Sequence, residues 1–237
     1  MVFSHSRPVE SAPDQITSAL RERMLDGTLR AGTRLPSEEE LAVAFGVSRP
    51  TVRIALRRLK VLGVITSERG RTGGHRVADP SPALLAAHVD GFITLALGGQ
   101  QLTYDHLLDV RYELDVLAAK SAARSHTTED RGVLANLAQE LVAATDRPRT
   151  VEVALDLDLV AHREIAHASH NELLRGFISA TVFAFRRSDF AASFNDPEPI
   201  LRHLPEVLAA ILDRDPDEAA AAMHLHHLAG RDHAGLP

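Results

Sequence analysis

The chain has 237 residues, no cysteine, 45% hydrophobic residues and a mean hydropathy of −0.07. This length and composition are typical of a globular protein with one or two domains, and the lack of cysteine excludes disulfides and thiolate metal sites. No apolar run approaches the roughly 18 residues that a membrane span needs, and the N-terminal residues lack the apolar core of a secretory signal. We therefore expect a cytoplasmic protein without membrane partners.

Charge is distributed unevenly along the chain. Residues 1–79 contain 13 Lys/Arg and 9 Asp/Glu, a net charge of +4, whereas residues 80–237 contain 13 and 23, a net charge of −10. The second part also contains 11 of the 13 histidines. This asymmetry predicts two domains with different partners, joined where prolines cluster in ADPSPA. The predicted boundaries are a first domain at 1–78 (core about 10–78), a linker at 79–82, a second domain at 83–230 and a tail at 231–237.

The first predicted helix, 14–26, carries Ile16, Leu20 and Met24 on one apolar stripe. Ser37 and Glu40 have the spacing of a capping box and predict the start of a second helix. After a turn at Gly46-Val47, Ser48 can cap a third helix that Gly63 ends. Its predicted buried stripe is Val52, Ala55, Leu56, Leu59 and Leu62, and its opposite side carries Arg49, Arg53, Arg57 and Lys60.

A Gly-rich segment, VITSERGRTGGHRVA, follows the third helix and predicts two short strands around a hairpin tip. Two helices joined by a Gly-containing turn and followed by a basic hairpin are typical of a winged helix-turn-helix. The second helix of that motif lies in the DNA major groove, where the fork of an arginine can bind guanine. The alternative is that the arginine face is merely solvated, but it coincides with the face that the motif directs to DNA.

The segment GTRLPSEEELAVAFGVSRPTVRIALRRLKVLGVI resembles the DNA-binding domain of GntR-type bacterial transcription regulators over about residues 10–78. The resemblance implies contacts with a double-stranded DNA operator. One position departs from the family pattern: Glu39 stands where some members have a DNA-contacting arginine. The residues that the resemblance assigns to DNA are Arg34, Ser48, Arg49, Thr51, Arg53, Arg69 and Gly70.

From residue 83 onward the periodicity is helical and strand signals are absent. We predict an all-α bundle of six or seven helices, so that the whole chain is mainly α with one small hairpin. Residues that can cap a helix mark several helix starts. Asp196 and Asp215 each precede a proline, and Thr127 pairs with Asp130 three residues later. The predicted helices are 83–98, 103–125, 128–145, 150–169, 171–192, 197–213 and 216–229.

The segment LDLDLVAHREIAHASHN contains Asp158 and His162, which are i,i+4 neighbours and project from one helical face. One carboxylate and one imidazole can hold a divalent ion, and further histidines follow at His203 and in MHLHHL. Nitrogen and oxygen ligands suit Zn²⁺, Ni²⁺ or Mn²⁺. A salt-bridged or solvated pair remains the alternative.

Residues 105–228 resemble the helical FCD-type ligand-binding domain of the fatty-acid-regulator (FadR) branch of GntR proteins. The matching pieces are DVRYELDVLAAKSAA, DLVAHREIAHASHNELL and AILDRDPDEAAAAMHLHH. The resemblance implies a divalent metal ion at the bottom of a pocket, held by an Asp and three His. Its ligands would be Asp158, His162, His203 and His226. His224 and His227 are then expected on other faces.

His203 stands one residue further from Ala210-Ile211 than the family pattern expects. Pro205 lies two residues after it and should break the helix locally. Either a kink returns His203 to the pocket, or this ligand is lost and water replaces it. We favour the kink.

A metal with vacant positions in a helical pocket can bind a small organic acid or sugar acid. Arg111 could bind its carboxylate with both arms of the guanidinium, or could instead form a salt bridge with Asp115 four residues on. Asn171 could hydrogen-bond the effector or orient His162.

The resulting hypothesis is a metabolite-responsive transcription regulator, more specifically a repressor, that binds a pseudo-palindromic operator as a homodimer. A metal sensor, in which ion occupancy itself controls DNA binding, is the alternative. A metal-dependent hydrolase with a DNA-targeting module is disfavoured, since no general base outside the ligands and no phosphate-binding loop is evident. We therefore expect no enzyme activity.

Overall fold

A computed structural model of the chain describes residues 10–68, 70, 73–145, 150–186 and 196–234. The fold consists of two compact units, Met1–Pro80 and Ser81–Pro237. We refer to them as unit 1 and unit 2. In the described ranges no helix combines the length and apolar character needed to cross a membrane.

The described part of unit 1 contains three helices and a two-stranded antiparallel hairpin, which confirms the predicted class. Ile65 pairs with Val77 and Glu68 with Gly74. Apolar side chains of all five elements form one core, in which Val52, Ala55 and Leu59 are fully buried. The elements are α1 (Ala12–Leu25), α2 (Glu38–Phe45), α3 (Arg49–Val61), β1 (Ile65–Glu68) and β2 (Gly74–Val77).

Local capping sets the boundaries of α2 and α3. The Ser37 hydroxyl accepts from Glu40 N at 3.2 Å while the Glu40 carboxylate accepts from Ser37 N at 2.7 Å, so the predicted capping box is present. Gly46 ends α2 in the left-handed region with φ 64°, and the Ser48 side chain accepts from Thr51 N. The prediction that Leu62 is buried was wrong. The helix ends at Val61, and Leu62 follows as its C-cap with 53% of its surface exposed.

In its described residues unit 2 is an all-helical bundle, as predicted. Six of the seven predicted helices agree with the structure within a few residues where they are described, and the end of the predicted helix 171–192 falls outside the described residues. The helices are α4 (Pro82–Gly98), α5 (Tyr104–Ser125), α6 (Thr128–Thr145), α7 (Val151–Ala168), α8 (Glu172–Arg186), α9 (Glu198–Leu201), α10 (Leu204–Leu212) and α11 (Pro216–Ala234).

The remaining predicted helix, 197–213, is interrupted between α9 and α10. His203 has φ −106° and ψ 1°, which is not helical, and it precedes α10 as its N-cap residue. Pro205 explains the break, because it has no N–H to donate and its ring collides with the carbonyl of residue 201 in a continuous helix. The interruption lies at the position where the sequence predicted a local break.

Small side chains on α5 allow its neighbours to approach closely. Ala118, Ala119, Ala122 and Ala123 are completely buried and belong to the single core of unit 2. Helices α7 and α11 both pack against α5. As a result, polar residues on the same three helices can meet inside the bundle.

Candidate functional sites

The N-terminal end of α3 presents polar side chains at the surface of unit 1. Ser48 caps the helix and its hydroxyl lies 2.8 Å from the Thr51 hydroxyl. The side chains of Arg49 and Arg53 are both 57% exposed. Their exposure follows from the amphipathic pattern, because the opposite face of α3 is buried against α1 and α2. We call Ser48, Arg49, Thr51 and Arg53 the recognition surface.

Two glutamates at the start of α2 contact the arginines of the recognition surface. Arg53 donates two hydrogen bonds to Glu38, from Nε at 3.2 Å and from Nη2 at 2.8 Å. The Arg53 hydrogen bond holds the pKa of Glu38 below its usual value. The contact between Arg49 Nη1 and Glu39 Oε2 is longer, 3.8 Å, and the Glu39 side chain is 76% exposed. Arg53 is therefore tied to α2, whereas Arg49 is held loosely.

Two further predicted DNA contacts, Arg34 and Gly70, lie at the hairpin. Arg34 Nη2 donates to the Gly73 carbonyl at 2.8 Å, which places this guanidinium beside β2. A Cβ on Gly74 would lie 3.4 Å from Arg34 Nε, and its φ of 149° is one that other residues rarely adopt. Gly70 also has positive φ, 120°. Arg69, the remaining predicted contact, lies outside the described residues.

Unit 2 contains a small cavity of about 50 Å³ between α5, α7, α9 and α11. Its wall combines apolar side chains with buried charged groups. The lining residues are Leu108, Arg111, Leu155, Asp158, His162, Ile200, His226, His227, Gly230 and Arg231.

Three potential metal ligands converge in this cavity. Asp158 Oδ1 lies 3.4 Å from His162 Nε2 and 3.1 Å from His226 Nε2, and the two Nε2 atoms are 3.1 Å apart. A divalent ion about 2.0–2.2 Å from its nitrogen and oxygen ligands keeps those ligands about 3.0–3.5 Å from one another. Asp158, His162 and His226, which we call the donor cluster, therefore have the spacing that such an ion requires. All three residues are buried.

Asp115 on α5 supports the donor cluster from behind. Its Oδ2 atom lies 3.0 Å from His162 Nδ1, 3.1 Å from His227 Nε2 and 3.1 Å from Arg111 Nε. A carboxylate 3.0 Å from Nδ1 restricts the imidazole and leaves Nε2 directed at the cluster, the arrangement that second-layer carboxylates give to histidines that bind metals. Arg111 also reaches Asp158 Oδ2 at 3.3 Å, so one guanidinium connects the two carboxylates.

Protonation in this network follows from burial and charge. Burial alone would raise the pKa of Asp158 and of Asp115, but the neighbouring His162 and, for Asp115, Arg111 hold both well below their usual range. Burial lowers and the two carboxylates more strongly raise the pKa of His162, to about 9. Burial lowers the pKa of His226 and lowers that of His227 to about 4. The carboxylates are thus ionised at neutral pH, and His226 and His227, which are neutral, each have one ring nitrogen without a proton. His162 is protonated at neutral pH and would have to release a proton to bind an ion.

Two predicted site residues lie elsewhere in unit 2. His203 is half-buried at the break before α10 and is absent from the cavity wall and from the donor groups found among the described residues. Asn171 precedes α8, where its side-chain oxygen accepts from Leu174 N at 3.2 Å. The donor cluster therefore contains three of the four predicted ligands, and Asn171 acts as a helix cap.

The sequence interpretation missed two members of the network. We expected His227 on another face, which was wrong. It lines the cavity, and its Nε2 atom bonds Asp115 Oδ2, the same oxygen that lies 3.0 Å from His162 Nδ1. Asp115 was considered only as a salt-bridge partner of Arg111. The signal was present in the i,i+4 spacing of Arg111 and Asp115, but spacing within α5 cannot show that α7 and α11 also meet there.

A known protein family matches part of each unit. Residues 13–73 match the family described as bacterial regulatory proteins, gntR family, and residues 106–229 match the FCD domain. An uncharacterised HTH-type transcriptional regulator of Mycobacterium tuberculosis is 31% identical over 90% of this chain and 85% of its own. The Glc operon transcriptional activator of Escherichia coli is 29% identical over 92% and 84%. A solved structure of Streptococcus agalactiae GntR, 24% identical, superposes with a TM-score of 0.63 over 93% of this chain and 99% of its own, which supports the fold.

Proposed function

The chain belongs to the GntR family of DNA-binding transcription regulators and carries an FCD domain, and from that premise we propose that a small organic acid or sugar acid, bound in the cavity of unit 2, controls its affinity for DNA. We propose further that it acts as a homodimer and represses transcription until the acid binds. Two recognition helices about one DNA turn apart would then contact a pseudo-palindromic operator. The relatives are regulators rather than enzymes, and no catalytic role is proposed.

The observation that carries this proposal is the convergence of the donor cluster and Arg111 on one cavity. A divalent ion, Zn²⁺, Ni²⁺ or Mn²⁺, would be held by Asp158, His162 and His226. When bound, it would supply a positive centre with open positions for an oxygen ligand. Asp115 favours the orientation of His162 that such binding needs, since its Oδ2 atom lies 3.0 Å from His162 Nδ1.

The effector class follows from the charges around the cavity. A bound cation and the Arg111 guanidinium both favour an anion, and a carboxylate matches the planar fork of arginine. Because Arg111 already bonds Asp115 and Asp158, an incoming carboxylate would have to share this guanidinium or bind mainly at the ion. Asn171 and His203, which lie away from the cavity wall, are not needed in this arrangement.

Metal content tests the first step. Protein without an affinity tag is loaded with Zn²⁺, Ni²⁺ or Mn²⁺, dialysed, and analysed by elemental mass spectrometry. We expect about one ion per chain in the wild type and loss of the ion in His226→Ala. His203→Ala decides whether a fourth ligand exists, and His88→Ala, which alters an exposed histidine of α4, is the matched control. Equal metal content in wild type and His226→Ala would contradict the site.

Effector control is tested separately by operator binding. An operator is first selected from random DNA, and its affinity is measured with L-lactate, D-gluconate or propane-1,2-diol, the last of which resembles lactate without the carboxylate. We expect at least one acid, and not the diol, to weaken binding in metal-loaded protein. A change in affinity with the ion alone, and none with either acid, would instead favour the metal sensor.

A further inference from the structure

Glu39 and Arg49 lie side by side at the DNA-facing end of α3. Arg49 is the first residue of α3, and Glu39 is the second residue of α2. Their charged atoms are 3.8 Å apart and both side chains are mostly exposed, 76% for Glu39 and 57% for Arg49. In a helix-turn-helix the residues at this end of the second helix reach base edges. A carboxylate this close to Arg49 must therefore lie at the same DNA surface.

The neighbouring pair, Glu38 and Arg53, has a different geometry. Glu38 binds Arg53 through two hydrogen bonds, and its side chain is only 23% exposed. Both oxygens of the Glu38 carboxylate therefore already accept hydrogen bonds within the protein. Glu39 makes no comparably short contact with Arg49, and an exposed ion pair of this kind is weak because water and salt screen it. Glu39 and Arg49 can therefore each give up their mutual contact and bind a partner on DNA instead.

Base chemistry restricts what an exposed carboxylate can recognise in the major groove. Guanine and thymine present acceptors there, which repel a carboxylate, and adenine presents a donor beside an acceptor. Cytosine presents the N4 amino group, and glutamate can accept from it. Arg49 is complementary in the opposite sense, because its fork binds O6 and N7 of guanine. A separation of 3.8 Å is close to the 3.4 Å rise between adjacent bases.

We propose that Glu39 is a specificity-determining residue, which accepts a hydrogen bond from cytosine N4 at the base pair adjacent to the guanine that Arg49 reads. Each operator half-site then contains guanine and cytosine at neighbouring positions. The carboxylate also disfavours every other base at the second position, since it finds an acceptor or a mixed edge there. This selectivity rests on DNA binding and is independent of the cavity in unit 2.

Selection of binding sites from randomised double-stranded DNA tests this assignment in the full-length protein. The wild type should enrich guanine and a neighbouring cytosine. Glu39→Gln should keep the guanine, lose the preference for cytosine by at least about fivefold and gain adenine, because glutamine binds adenine N6 and N7. Arg49→Ala should lose the guanine. Glu22→Gln removes the same charge from an exposed position on α1 and should select the wild-type sequence.

Two outcomes would overturn the assignment. One is a Glu39→Gln protein that selects the same bases as the wild type and binds all sequences more tightly by one common factor, which would mean that Glu39 only repels DNA. The other is a wild-type operator without cytosine beside the guanine that depends on Arg49. The selection needs neither metal nor acid, so these outcomes are separate from failure of the effector proposal.

Discussion

Arginines occur in two contrasting environments in this molecule. On the recognition surface of unit 1, Arg49 and Arg53 are each 57% exposed and contact one glutamate. In unit 2, the side chain of Arg111 is 6% exposed and bonds two carboxylates that are almost completely buried. The first arrangement leaves charge available for an external partner. The second satisfies buried charge within the protein.

This difference determines which residues of each unit can be substituted without loss of the fold. Exposed ion pairs contribute little to folding, so evolution can vary Glu39 or Arg49 to alter DNA recognition without loss of the fold. A buried ion pair is different, because removal of one partner leaves an uncompensated charge in the interior. The residues proposed to bind a ligand in the cavity of unit 2 therefore also contribute to stability, and they cannot be varied independently.

Substitution of Arg111 should produce the largest effect on stability. Arg111→Met leaves Asp115 and Asp158 buried without their guanidinium, and we expect a loss of about 3–5 kcal/mol in the free energy of unfolding. Arg49→Met, on the recognition surface, should change it by less than about 0.5 kcal/mol. Urea unfolding followed by tyrosine fluorescence reports on unit 2, since the chain has two tyrosines, both on α5, and no tryptophan. Far-ultraviolet circular dichroism, recorded alongside, also reports on the helices of unit 1, which contains Arg49.

The measurement is made in the presence of a chelator, so that a bound ion does not replace the lost positive charge beside Asp158. Arg111→Lys serves as a second variant, because it keeps the charge and loses the fork. A loss below about 1 kcal/mol for Arg111→Met would contradict the view that this guanidinium neutralises the two carboxylates.

A smaller effect is expected at Asp130, which caps α6. Its carboxylate accepts from Thr127 N at 2.7 Å and lies 2.8 Å from His170 Nε2. Burial would raise its pKa, but the Thr127 hydrogen bonds and His170 lower it to about 2. A depressed pKa means that Asp130 stabilises the fold above its ordinary pKa of 3.8 and loses this contribution as the pH falls towards 2.

Asp130→Asn should therefore destabilise unit 2 by about 2 kcal/mol at pH 7. The difference between wild type and variant should shrink as the pH falls from 4 to 2. Urea titrations at a series of pH values in this window measure that difference and cancel the titration of Asp115 and Asp158, which both proteins share. Glu40→Gln, at the exposed cap of α2, should have a smaller effect. A constant difference down to pH 2 would exclude the proposed linkage.

Sequence predicted unit 1 in more detail than unit 2 for a physical reason. Capping boxes, positive-φ glycines and an amphipathic face are local, so Ser37, Glu40 and Ser48 could be assigned within a few residues of chain. The exposed arginines of α3 followed from the same periodicity. The prediction that Leu62 is buried failed because hydrophobic periodicity continues past the residue at which the helix ends.

The cavity of unit 2 could be predicted only in part. Asp158 and His162 share one helix, and their i,i+4 spacing gives their proximity directly. Their association with His226 came from family resemblance, and the roles of Asp115 and His227 depend on how α5 and α11 pack against α7. Pro205 predicted the break near His203, but not the direction in which the break would turn that side chain.

The smallest predicted effect separates phosphate contacts from base contacts in unit 1. Arg34 donates to the Gly73 carbonyl and lies beside the wing. Arg34→Gln should weaken binding to all DNA sequences alike and reduce the slope of log K against log salt by about 0.9, as expected for loss of one phosphate contact. Arg49→Ala should instead cost about 1–3 kcal/mol on the selected operator and relax its specificity. Fluorescence anisotropy with selected and random DNA at several salt concentrations measures both quantities. If Arg34→Gln changed the preference among sequences and left the salt slope unaltered, Arg34 would have to be a base contact, and exposed charge in unit 1 would contribute to specificity beyond the recognition surface.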